Sequence, residues 1–167
     1  METCGQTIDM EQMVDEFFNN SVIDHVVRWC YQEDPATRTL AKEAADCGAQ
    51  LLPLLGEGMQ TQYEDCNFAR GLWESAQHQR LWFLGQNCSP LGAPDAMPPE
   101  AETAQGAAAR QDYETRKARL LAQLTEEQAK LFALHEQKSE AVCRRLLPYC
   151  WRYGYLWSQT LLARLHG

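Results

Sequence analysis

The stretch 107-AAARQDYETRKARLLAQLTEEQAKLFALHEQKSEAVCRRLL-147 contains neither glycine nor proline and is dense in Ala, Leu, Glu, Gln, Lys and Arg. These residue types lose least on entering a helix. The stretch predicts one long helix of roughly 60 Å, at about 1.5 Å per residue. A helix of that length exceeds the width of a small domain, so its apolar edge must lie against other helices of the chain, a second copy or a partner. Leu120, Leu124, Leu131 and Leu134 fall on a and d positions of a heptad, with Glu127 at the intervening core site. Val142 and Leu146 continue the seam only after a shift of phase. Two clean repeats fall short of a sustained coiled coil, so the seam predicts bundle packing with partial coiled-coil character. Thr125 and Gln128 have the spacing of a capping box, which would open a new helix if the long one broke there.

Pro148 predicts a discontinuity, because it removes an amide and crowds the preceding turn. Beyond it, Tyr149, Trp151, Tyr153, Tyr155 and Trp157 alternate with other residues, the period of a strand. No second strand candidate exists in the sequence, and Leu161, Leu162 and Leu165 read as helix. The favoured reading is a helix with aromatics on two faces. The alternative is an edge strand added to a partner.

Working back towards the N-terminus, residues 87–106 form the one obvious linker, with Pro90, Pro94, Pro98 and Pro99 forbidding continuous helix. Charge changes sign across it. Residues 1–107 carry 17 acids against 5 bases, a net of −12, and residues 108–167 carry 6 acids against 10 bases, a net of +4. Opposite fields of this kind steer association within or between chains. The expected organisation is an acidic helical region over 1–86, a Pro/Ala-rich linker over 87–106, and a long helix with an aromatic end over 107–167. Ser89-Pro90 within the linker has the form of a proline-directed phosphorylation site, a dipeptide common by chance; if modified, its added charge would weaken the hold of the acidic half on the basic helix.

Within the acidic region Met10, Met13, Val14, Phe17 and Phe18 follow the spacing of one buried helical face, and Ile23, Val26, Val27, Cys30 and Tyr31 repeat it. A break at Asn19-Asn20-Ser21 is favoured over one continuous helix, because Ser21 and Asp24 resemble a capping box. Asp34-Pro35 is a helix start, with Asp as N-cap and Pro at the first helical position. Leu40, Ala44, Cys47, Leu51 and Leu54 line that helix until Pro53, Gly56 and Gly58 stop it. A third helix is predicted from a capping box at Thr61 and Glu64, lined by Tyr63, Cys66, Ala69, Trp73, Ala76 and Phe83, interrupted by Arg80 and closed by Gly85.

The 167 residues, 45% of them apolar, suffice for a core without disulfide or metal. The seven cysteines are widely spaced with no CxxC, which predicts free thiols. His25, His78, His135 and His166 are scattered, so no metal or other cofactor is expected. No phosphate loop or nucleophile motif appears. A net charge of −8 disfavours nucleic acid. No apolar run reaches membrane-span length and the N-terminus lacks a signal-like segment, so a soluble protein of the cytoplasm, nucleus or cytoskeleton is expected.

The fold class expected is all-α: a helical bundle with one long C-terminal helix. The function expected is a non-catalytic helical adaptor or structural subunit of a multiprotein complex, hetero-oligomeric rather than a stable monomer. Its partner-binding residues would be Leu120, Leu124, Leu131, Leu134, Val142, Trp151, Tyr155, Trp157 and Leu162. Two alternatives stand beside it. One is a small acidic chaperone or regulator that shields a partner helix against the Met10–Phe18 face. The other is an all-helical enzyme whose site converges in space and is invisible in sequence.

Overall fold

A computed structural model describes residues 22–86 and 102–167. The fold is all-α, with helices α1 (Val22–Glu33), α2 (Pro35–Leu51), α3 (Glu57–Gln86), α4 (Ala104–Leu121) and α5 (Glu126–His166), and a 3-10 turn at Leu52–Leu54. The long C-terminal helix has 41 residues. No strand occurs among the described residues.

The predicted rod over 107–147 is broken. Ala122 to Leu124 form a turn, and Thr125 opens α5 with a complete capping box. The Thr125 hydroxyl accepts from the Gln128 amide at 3.3 Å while the Gln128 side-chain oxygen accepts from the Thr125 amide at 2.9 Å. Gln128 also donates to the Leu54 carbonyl at 2.7 Å, which ties the turn to the α2–α3 connection. Folding back lets Leu120 and Phe132, both fully buried, enter the same core. The turn also resets the helical phase. The buried side of α5 runs through Gln128, Phe132, His135 and Glu136, whereas Glu127 and Leu134 face outward, Leu134 with 41% of its surface exposed.

Pro148 does not end the helix. Both it and Arg144, whose carbonyl loses its partner, lie on the exposed side, where water can replace the missing bond. Leu147, Cys150 and Trp151 on the opposite side are buried and hold the helix on course. The aromatic segment is accordingly helical. Tyr149 and Tyr153 meet Trp29 of α1 at 5.2 and 6.2 Å between ring centroids, and Trp157 meets Trp82 of α3 at 6.0 Å.

Cross-helix contacts give the topology. Asp34–Arg145, Glu43–Lys138 and Leu54–Gln128 run α2 antiparallel to α5. Arg70–Glu136, His78–Cys143 and Gly85–Trp151 run α3 parallel to α5. Trp73–Tyr113 and Gln62–Gln123 run α4 antiparallel to α3. The result is a helical bundle in which α3 and α5 form the spine, α1 and α2 follow one another down α5, and α4 lies on α3. Two of these ion pairs, Asp34–Arg145 and Glu43–Lys138, join the acidic half to the basic half.

Local starts differ from expectation in two places. Asp34 and Pro35 open α2 as predicted, and the Asp34 carboxylate accepts from the buried Thr37 hydroxyl at 2.7 Å, which holds that carboxyl below its ordinary value. By contrast α3 begins at Glu57, so Thr61 lies inside the helix and donates to the Glu57 carbonyl. Helix α4 begins inside the predicted linker, with Thr103 accepting from the Gly106 amide at 3.0 Å. Gly85 lies in the last described turn of α3, one residue before Gln86, and is buried. A Cβ there would stand 2.1 Å from the Trp151 carbonyl oxygen, and one at Gly154 would stand 2.1 Å from that of Trp82. The two spine helices therefore touch backbone to backbone, an approach only glycine permits. The Met10–Phe18 face, the Ser21 cap, Ser89 and most of the linker lie outside the described residues.

Candidate functional site

Apolar side chains gather in two cores. The lower contains Leu51, Leu55, Tyr63, Cys66, Ala69, Tyr113, Leu120 and Phe132. The upper contains Val26, Leu81, Trp82, Leu147, Cys150, Trp151 and Tyr153. Between them the α3–α5 interface is polar. Arg70 sits at its centre, with side-chain exposure of 13%, and its guanidinium pairs with Glu136, lies 3.5 Å from Glu74 and 3.1 Å from His135 Nε2. Lys117 of α4 stands 3.9 Å from the other Glu136 oxygen.

The hydrogen bonds assign the state of His135. Arg70 has only protons to offer, so Nε2 accepts, and Nδ1 carries the proton and donates to the Ala44 carbonyl at 2.7 Å. Burial and then the Arg70 charge work against imidazolium, lowering the pKa despite the Ala44 bond. Burial raises the Glu136 carboxyl against the opposing pull of Arg70. Glu74 is pushed up to about 7, chiefly by burial, so near neutral pH it is divided between acid and carboxylate.

This polar layer opens on a cleft of about 680 Å³ walled by α4 and α5 and floored by α3, whose lining includes Arg70, Glu74, Lys117, Glu136, Glu140 and Cys143. Cys143 Sγ lies 3.5 Å from His78 Nε2. An activated thiol needs a thiolate beside an imidazolium, and burial lowers the affinity of His78 for its proton. Cys30 and Cys66 are each raised to about 11 by burial, and Cys150 is raised further by the same cause. All five described cysteines are free and buried. Among the described residues no group of three or more His, Cys, Asp or Glu is arranged to hold a metal, and no helix is long and apolar enough to cross a membrane.

The nine residues expected to bind a partner do not form one surface. Leu120 and Trp151 are enclosed within the lower and upper cores. Leu124, Leu131, Val142, Tyr155 and Trp157 are half-buried, and Leu134 and Leu162 are exposed. A different apolar surface appears on α3. Phe68 and Leu72, one turn apart, are 71% and 51% exposed, on the side of the helix opposite Arg70 and Glu74. Phe83, expected on the buried side, is exposed as well, because the buried stripe of α3 drifts to Leu81, Trp82 and Gly85. Neither the polar layer nor this surface follows from the periodicity of a single buried stripe. The detectable signals were Arg70, Glu74 and His78 at four-residue steps and apolar residues on both sides of α3.

The architecture defines an all-α bundle with a charged layer between two cores. Comparison with protein-family models, with curated proteins and with solved structures finds no significant match.

Proposed function

We propose that the chain is a non-catalytic helical adaptor or structural subunit of a larger assembly, and that the outer face of α3 is its principal contact. The observation that carries this reading is the exposure of Phe68 and Leu72 side by side on a helix whose other side is committed to the core. Large aromatic and aliphatic side chains presented together are the usual anchors of a protein interface. Glu64 and Asp65 stand exposed beside them, within a chain of net charge −8. The occupant that fits is an amphipathic helix with an apolar stripe flanked by Lys or Arg. Pairing this face with the same face of a second copy opposes acid to acid. Residues 1–21 carry five acids and no base, so that segment is an equally poor electrostatic match.

The test is a photo-crosslinking residue placed at position 68 and, as a control, at exposed Gln111, followed by purification of the captured protein and titration against the unmodified chain. The expected result is a crosslink specific to position 68, onto a basic amphipathic helix, with affinity reduced at least tenfold by Phe68→Asp. Crosslinks confined to the same chain or to a second copy, or binding indifferent to Phe68→Asp, would refute the reading.

A further inference from the structure

Above the charged cleft, the first turn of α4 stands away from α5 and leaves a hollow of about 250 Å³. Its apolar lining comes from Trp73, Ala76 and Leu81 of α3 and Leu147 of α5. Arg80 also lines it, and the Arg80 Nε is shielded from solvent with no hydrogen-bond partner. A buried guanidinium N–H without an acceptor is an uncommon arrangement in a folded chain. The one carboxylate of the lining, Glu102, is already engaged, its oxygens accepting from Arg110 at 2.9 and 3.0 Å. Nothing else in the lining supplies an anion. The apolar wall and the Arg80 guanidinium at its edge together describe the complement of a specific ligand chemistry.

We propose that this hollow binds a small monocarboxylate with an apolar body, the carboxylate meeting Arg80 and the body lying against Trp73, Leu81 and Leu147. The volume suits roughly ten to fifteen non-hydrogen atoms, at the small end of ligand pockets. A single negative charge matches the one cation of the lining, Arg80, and guanidinium geometry favours a planar carboxylate. A phosphate dianion suits the site poorly, because most of the lining is apolar and Glu102 stands at its edge. The inference is independent of docking on the outer face of α3, since Arg80 and Phe68 face different directions.

Octanoate is the probe, followed through the five tryptophan indole N–H signals in NMR and by calorimetry, with octanol and octylamine as controls. The expected result is saturable octanoate binding that perturbs one indole most, at least tenfold tighter than octanol or octylamine. Arg80→Gln is expected to abolish that preference while leaving octanol binding unchanged. Ala76→Phe, which fills the hollow and keeps the Arg80 charge, is expected to abolish binding of all three probes while circular dichroism shows the helical fold retained. The second variant decides the matter if Arg80→Gln fails to fold. Equal affinity for octanoate and octanol, octanoate binding that survives Ala76→Phe, or no saturable binding at millimolar octanoate overturns the proposal.

Discussion

The upper and lower halves of the bundle bring α3 and α5 together by different means. Below, Tyr63, Cys66, Leu120 and Phe132 interdigitate, and the helices stand a side chain apart. Above, Gly85 and Gly154 allow each backbone to meet the carbonyl of the other helix, and bulky rings such as Trp82 and Trp151 pack around the contact. The polar layer of Arg70, Glu74, His135 and Glu136 lies where one arrangement gives way to the other. A core of interlocked side chains can relax when one is trimmed. A backbone contact has no side chain to adjust, so the upper half is predicted to be the more brittle.

Gly154→Leu breaks the comparison most severely. With 2.1 Å available to the new Cβ, the spine must separate, and a loss of about 5 kcal/mol or failure to fold is expected. Denaturant unfolding followed by circular dichroism measures it, and a loss under about 1 kcal/mol would show that the upper contact is slack. Phe132→Ala probes the lower half by cavity formation and is expected to cost about 3–4 kcal/mol by the same measurement.

The layer between them is sharpened by Arg70→Met. That change leaves Glu136 buried with only the more distant Lys117 and is expected to cost about 3 kcal/mol. The double variant Arg70→Met/Glu136→Leu should recover most of the loss. If it does not, the pair contributes more than mutual neutralisation.

Glu74 gives a smaller, pH-dependent effect. Its folded pKa of about 7 lies above the ordinary 4.5, so the folded state holds the proton more tightly. Stability from this group is therefore present below about pH 4.5 and lost as pH rises through 7. His78 and His135 are lowered from 6.5 and act in the opposite sense, their contribution being lost on acidification below that value. Comparing Glu74→Gln with the parent isolates the carboxyl. The variant should gain on the order of 1–2 kcal/mol relative to the parent between pH 5 and 8, and a pH-independent difference would refute the assignment. Thr125→Ala, which removes half the capping box, should cost about 1 kcal/mol.

Helix content and several boundaries were legible from local chemistry. Asp34-Pro35 and Thr125–Gln128 are capping signals whose hydrogen bonds need no distant partner. The unbroken rod over 107–147 gives way because the burial of Leu120 and Phe132 in one core rewards a turn that helix propensity opposes and that only the Thr125–Gln128 cap signals locally. Once the turn reset the phase, a heptad counted through it placed Leu134 inward and overlooked Phe132. Pro148 was overweighted because propensity ignores which side of a helix meets solvent. Gly85 carries the signature of a helix end and stands one residue before the last described residue of α3, but the second reason for its missing side chain lies some seventy residues away, at Trp151 and Gly154. The charged layer was invisible for the same reason. Arg70, Glu74 and Glu136 read singly as surface residues, and only the parallel pairing of α3 and α5 joins them.

The glycine crossing also divides the molecule mechanically. With main chain pressed against main chain, α3 and α5 cannot slide or rotate past one another without collision, so the spine behaves as a rigid rail. Helix α4 is attached to that rail through side-chain stacking, chiefly Trp73 on Tyr113 at 5.6 Å, and hinges on the short turn at Ala122–Leu124. Any widening of the furrow beside α5 must therefore come from α4 swinging outward, and a label on Gln111 would register that motion while one on the spine stayed still.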